Sequence, residues 1–88
     1  MTNLLVSNLL GFVLDEVDRQ DAIHPAGYPA TRDGIRFGIA TLQDELGETY
    51  DAWRQERRTD GWNKTEEELL QVIGVAFRLF RELRAANG

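Results

Sequence analysis

The sequence predicts an all-α fold, an antiparallel helical bundle of about three main helices completed by homo-oligomerisation. Three observations lead there. Apolar residues recur at spacings of three and four through three long segments. Both prolines, Pro25 and Pro29, fall together in one short stretch between the first two segments. The apolar stripes are also broader than a single 88-residue domain can cover by itself.

The first helix is expected from Thr2 or Asn3 to Gln20. Leu5, Leu9, Phe12, Val13 and Val17 form its stripe, and Leu4, Leu10 and Leu14 widen it toward a second neighbour. Gly11 weakens its middle. Asp21 to Ala30, containing His24-Pro25, Gly27 and Tyr28-Pro29, reads as a stiff irregular loop. Thr31 is placed to N-cap the second helix, with Asp33 favourable in its first turn.

From there Ile35, Ile39, Leu42, Leu46, Tyr50 and Trp53 follow at helical spacing toward an end near Arg58. Such a helix is roughly 40 Å long. Beside this stripe runs a narrower one of Gly38, Thr41, Glu45, Glu48 and Ala52. Its small residues let another helix approach closely, and its two glutamates sit in that approach. Thr59 to Asn63 forms a turn around Asp60-Gly61. Thr65 followed by Glu68 has the spacing of a capping box. The third helix then carries Leu69, Val72, Ile73, Ala76, Phe77, Phe80 and Leu83, with Val75 and Leu79 extending the face.

Composition removes several function classes. A net charge of -5 with 42% hydrophobic residues suits a folded protein and weighs against a duplex nucleic-acid binder. No Cys and a single His rule out disulfides, thiolate metal sites and a multi-histidine zinc site within one chain. Any metal would be held by oxygen, which favours Mg²⁺, with Mn²⁺ as the alternative. No convincing export signal or membrane span is visible, so a cytoplasmic protein is expected.

The chemistry concentrates in Asp44-Glu45-Leu46-Gly47-Glu48 and in Glu66-Glu67-Glu68. Carboxylates at i and i+3 share a side of a helix, and two such helices side by side could surround one hard cation. The plainer reading makes Glu48 a solvated surface residue and Glu68 a capping acid. Gln71 faces the same region as Glu68. Arg54, Arg57, Arg58 and Lys64 surround the turn between the second and third helices, where they balance the helix dipole or grip phosphate oxygens. Arg19, Gln20 and His24 enter the stiff loop. Arg78, Arg81 and Arg84 read as a solubilising face, and Tyr28 and Trp62 as packing residues or base-stacking platforms.

These runs resemble the all-α nucleoside triphosphate pyrophosphohydrolase superfamily, specifically its MazG-like members. Asp44-Glu45-Leu46-Gly47-Glu48 is similar to that family's Glu-Glu-x-x-Glu run, with Asp at the first position. Glu68-Leu69-Leu70-Gln71 is similar to its Glu-x-x-Asp run, with Gln71 where the family has an Asp ligand. Glu16-Val17-Asp18-Arg19-Gln20-Asp21 followed by His24-Pro25 resembles the start of MazG-like proteins of actinobacteria and their phages, in which case the compartment is the host cytoplasm. The resemblance spans nearly the whole chain.

It implies hydrolysis of the α–β bond of a nucleoside triphosphate with Mg²⁺, releasing nucleoside monophosphate and pyrophosphate. Glu45, Glu48 and Glu68 are then the metal ligands, and Asp44 a further ligand or the water-orienting base. Lys64, Arg58, Arg19 and Gln71 are the candidate substrate contacts. A homodimer or homotetramer follows, with subunits assisting one another's sites. The alternative implied by Gln71 is a catalytically weakened relative that binds a nucleotide or a protein.

Overall fold

A computed structural model describes residues 4–59 and 61–88. Three helices make up the fold: α1 (Leu4–Ile23), α2 (Arg32–Glu56) and α3 (Asn63–Asn87). No strand occurs among the described residues. The predicted start of the first helix at Thr2 or Asn3 and the turn residue Asp60 lie outside them.

The boundaries differ from expectation by a few residues, each for a local reason. α1 continues to Ile23, past the expected end at Gln20, and His24 N–H still donates to the Gln20 carbonyl. Asp21 is therefore helical and faces α3 instead of opening the loop. Thr31 does cap α2: its backbone is extended and its hydroxyl accepts from Gly34 N–H at 3.0 Å. α2 stops at Glu56, with Arg57 as C-cap.

α3 begins earlier than the capping-box reading requires. Its N-cap is Trp62, which makes no side-chain cap. Glu56, at the end of the preceding helix, does that work instead. Its carboxylate accepts from the backbone N–H of Lys64 and of Thr65 and from the Thr65 hydroxyl. Thr65 and Glu68 thus do not form a capping box, because the orphan donors of the first turn already have Glu56.

α3 is the spine. It packs on α2 along one side and on α1 along another, while α1 and α2 do not pack on each other. The α2–α3 seam uses the narrow stripe of α2. Gly38 and Ala52 are buried there. A β-carbon on Gly38 would stand 2.7 Å from Leu79 Cδ1. Tyr28, Val75 and Leu79 form the core, with Ile35 and Leu42 packed against it. Tyr28 is thereby a core residue, no longer a free stacking platform.

The α1–α3 seam is close and polar. Val17 is buried there beside Glu16 and Gln20. A β-carbon on Gly74 would lie 2.5 Å from Gln20 Nε2 and 3.0 Å from Glu16 Cγ. Gln20 Nε2 donates to the Gln71 carbonyl at 3.1 Å. The outer apolar stripes remain open, among them Ile39, Leu46 and Tyr50 of α2 and Leu69, Ile73 and Phe80 of α3. Leu46 is two residues from Glu48 and so about 200° round the helix. The open apolar stripe and the acids occupy opposite sides of α2.

Candidate metal centre

Because α2 and α3 run antiparallel, with Gly38 and Ala52 buried in the seam, the middle of α2 meets the first turns of α3. Glu45 and Glu48, one helical turn apart, there face Glu68. One carboxylate oxygen from each lies within 4.8 Å of the others. Glu68 is buried, with 8% of its surface exposed, Glu45 is half-buried, and Glu48 is exposed. The group is thus a wall of the bundle open on one side.

Two features show a donor set short of a partner. The Oε2 atoms of Glu45 and of Glu68 are sealed from solvent and accept no hydrogen bond. Buried carboxylate oxygens in that condition are costly unless a cation, a water or a proton meets them. Burial also holds the Glu45 carboxyl above the usual carboxylate range, and the neighbouring charges of Glu48 and then Glu68 add to the effect; Arg19 opposes it. A hard divalent cation takes oxygen ligands, including carboxylates. The three glutamates can hold one.

The surrounding cations are placed unequally. Lys64 Nζ is 3.1 Å from Glu68 Oε1 and 3.9 Å from Glu67. Arg19 is tied to Glu16 by two hydrogen bonds of 2.6 and 2.9 Å. That grip holds the Glu16 carboxyl below the usual range, with Gln20 assisting against burial. Arg19 also lines a cleft of about 280 Å³ with Gln20, His24, Thr41, Glu45 and Gln71. Gln71 therefore stands in the same cleft as Glu45. Asp44 is exposed on α2 and is not one of the three convergent carboxylates. Arg58 lies elsewhere, lining a surface depression with Asp51, Arg54, Gln55 and Arg57 to which none of the three glutamates contributes.

Four residues essential to this arrangement escaped the sequence reading. Arg78, expected on a solubilising face, is the most buried side chain among the described residues at 2% exposure. It donates to Asp21 Oδ1 at 2.9 Å and to the His24 carbonyl at 2.7 Å, and stands 5.2 Å from the Tyr28 ring centroid. Arg81 completes the grip on Asp21 at 2.8 and 3.1 Å, so it too is more than solubilising. Glu56, at the end of α2, anchors the first turn of α3, and Glu16 holds Arg19 and Gln20 along α1. The partners of Arg78, Arg81 and Glu56 lie on another helix or loop, and those of Glu16 are polar neighbours on α1, so apolar periodicity carries no trace of them. A helical polar run such as Glu16-x-x-Arg19-Gln20, facing the small residue Gly74, is the only sequence signal that could have pointed there.

None of the described helices is long and apolar enough to cross a membrane. No family model, curated protein or solved structure matches this chain.

Proposed function

We propose that the chain is a Mg²⁺-dependent nucleoside triphosphate pyrophosphohydrolase that releases nucleoside monophosphate and pyrophosphate. The observation that carries the proposal is the meeting of Glu45, Glu48 and Glu68, two of them with buried oxygens lacking any partner. The resemblance of the two acidic runs to the MazG-like family supplies the reaction.

Glu45, Glu48 and Glu68 would hold Mg²⁺, or Mn²⁺ in its place. When bound, the cation supplies Lewis acidity to the phosphate chain. Asp44, free of the cluster and open to solvent, is suited to orienting a water molecule. Arg19, held at the cleft by Glu16, offers its guanidinium to phosphate oxygens. Lys64 offers an ammonium from the other side. Arg58 sits in a separate depression, so a role for it in the same site requires a second subunit or a longer reach of substrate. The open apolar stripes of α2 and α3 support a homodimer or homotetramer.

A second reading has its own observation. Gln71 lines the cleft where the family has an Asp ligand, and a neutral amide contributes less to a Mg²⁺ site than a carboxylate. A weakened relative that binds nucleotide without turnover would have this composition.

The deciding experiment is pyrophosphate release from a panel of canonical and modified nucleoside triphosphates, with and without Mg²⁺ or Mn²⁺, using Glu48→Gln as control. Metal-dependent release that the control loses supports the enzyme. No release from a folded, assembled sample that still binds nucleotide supports the second reading, and release equal in the control removes the proposed site.

A further inference from the structure

Ten residues of the chain are basic, and nine of them are arginine. The one lysine, Lys64, is the cation that touches the acid cluster. The two side chains hold a carboxylate differently. An ammonium is a compact point charge on a flexible stem, whereas a guanidinium is a rigid fork that locks onto a carboxylate. Among the described residues the other close carboxylate pairs use arginine: Arg19 and Arg81 grip Glu16 and Asp21 with two N–H groups each, and Arg78 adds one to Asp21.

The placement of Lys64 is also built. Its backbone N–H is fixed by Glu56 at 2.9 Å, which anchors the first turn of α3 to the end of α2. Its side chain, 53% exposed, reaches one turn along α3 to Glu68 Oε1. The other oxygen of that buried carboxylate has no partner. Glu68 is thus half satisfied, by a cation that can leave into water.

We propose that Lys64 is a tethered counter-ion that competes with the divalent cation for Glu68. The inference rests on the metal-centre reading above and adds to it. In the metal-free chain the ammonium offsets part of the charge of three converging carboxylates. Binding of a divalent cation takes over Glu68 and frees the ammonium to swing outward on its stem. The affinity of the centre is therefore set by an internal competitor, not by the carboxylates alone.

Because Lys64 is the only lysine, labelling lysine with ¹³C and ¹⁵N gives a single side-chain probe in the full chain. Mg²⁺ alone is titrated while the Lys64 Cε–H and ammonium signals and the backbone amides of Glu45, Glu48 and Glu68 are followed. The expected result is that the Lys64 signals move to the position of a free lysine with the same midpoint as the amides. In Glu68→Gln they should start near that free position before any metal is added. Lys64→Met should bind Mg²⁺ roughly three- to fivefold more tightly, the size expected for removing one partly exposed ion pair. As a control for long-range charge, Arg84→Met, at an exposed residue of the far end of α3, should leave the affinity close to that of the parent chain. Amide shifts at the three glutamates with an unmoved Lys64 signal, or equal gains in Lys64→Met and Arg84→Met, overturn the counter-ion role and leave the metal centre standing. No shift at any of these groups in millimolar Mg²⁺ overturns both.

Discussion

Arg78→Met tests how the wall of the cleft is held. The guanidinium is 2% exposed and makes three contacts at once: the Asp21 carboxylate, the His24 carbonyl and the face of Tyr28. Removing one partner of a buried ion pair costs about 3–5 kcal/mol. That figure must be reduced here, since the Asp21 side chain is 37% exposed and keeps Arg81. The His24 carbonyl loses a charge-assisted bond worth about 1.5–3 kcal/mol. The cation–π contact adds about 0.5–2 kcal/mol. These contributions overlap, and Met refills part of the volume, so a loss of about 3 kcal/mol is expected. Against a total stability of about 4–13 kcal/mol for a chain of this length, that is a large fraction. Urea unfolding at fixed protein concentration measures it. Arg81→Met is the comparison, because Arg81 binds the same carboxylate from a side chain 45% exposed and should cost only about 0.2–1 kcal/mol. Equal losses in the two variants would refute the argument that the position of Arg78, and not its charge alone, pins the His24 loop to α3.

Three further outcomes are expected. Gly74→Ala should lose about 1–3 kcal/mol, since its β-carbon would intrude on Gln20 and Glu16, whereas Gly11→Ala, with open space around it, should gain up to about 1 kcal/mol; urea midpoints decide both. Glu16 and Asp21 are held below the usual carboxylate range by Arg19 and by Arg81 respectively. The stability they contribute is complete above their unfolded values and is lost as pH falls through the lowered folded values. Glu45, raised mainly by burial, works in the opposite sense, so its contribution declines as pH rises toward neutrality. Melting curves against pH should show a flatter acid limb for Glu16→Gln and, without metal, a higher Tm at neutral pH for Glu45→Gln. Finally, Phe80→Glu, at a residue 63% exposed, should reduce the mass measured by light scattering while leaving the helical circular dichroism unchanged.

The three helices were legible because each carries a long apolar period, and period is a local property. So was the approach of Glu45, Glu48 and Glu68. The small residues Gly38 and Ala52 mark the side of α2 that admits another helix, and the glutamates lie on that side. What could not be read is polar and distant. Gln20 meets α3 across 51 residues and Asp21 meets Arg78 across 57, and nothing in either neighbourhood announces the other. The capping-box reading failed for a related reason. Thr65 and Glu68 have the right spacing, but a carboxylate from the previous helix reached the first turn of α3 before them.

That α1 and α2 meet only through α3 bears on the order in which the chain assembles. The α2–α3 hairpin closes between neighbours in sequence and brings all three acids together without help from α1. Docking α1 requires the longer closures of 51 and 57 residues, entropically dearer by under about 1 kcal/mol but dependent on α3 being formed. During synthesis α1 emerges before α2 and α3, so its surface on α3 is made after it. Leu5, Leu9, Leu10 and Phe12, open even in the folded chain, therefore travel uncovered until α3 has formed. Of the three helices, the one that precedes the others waits longest for its partner.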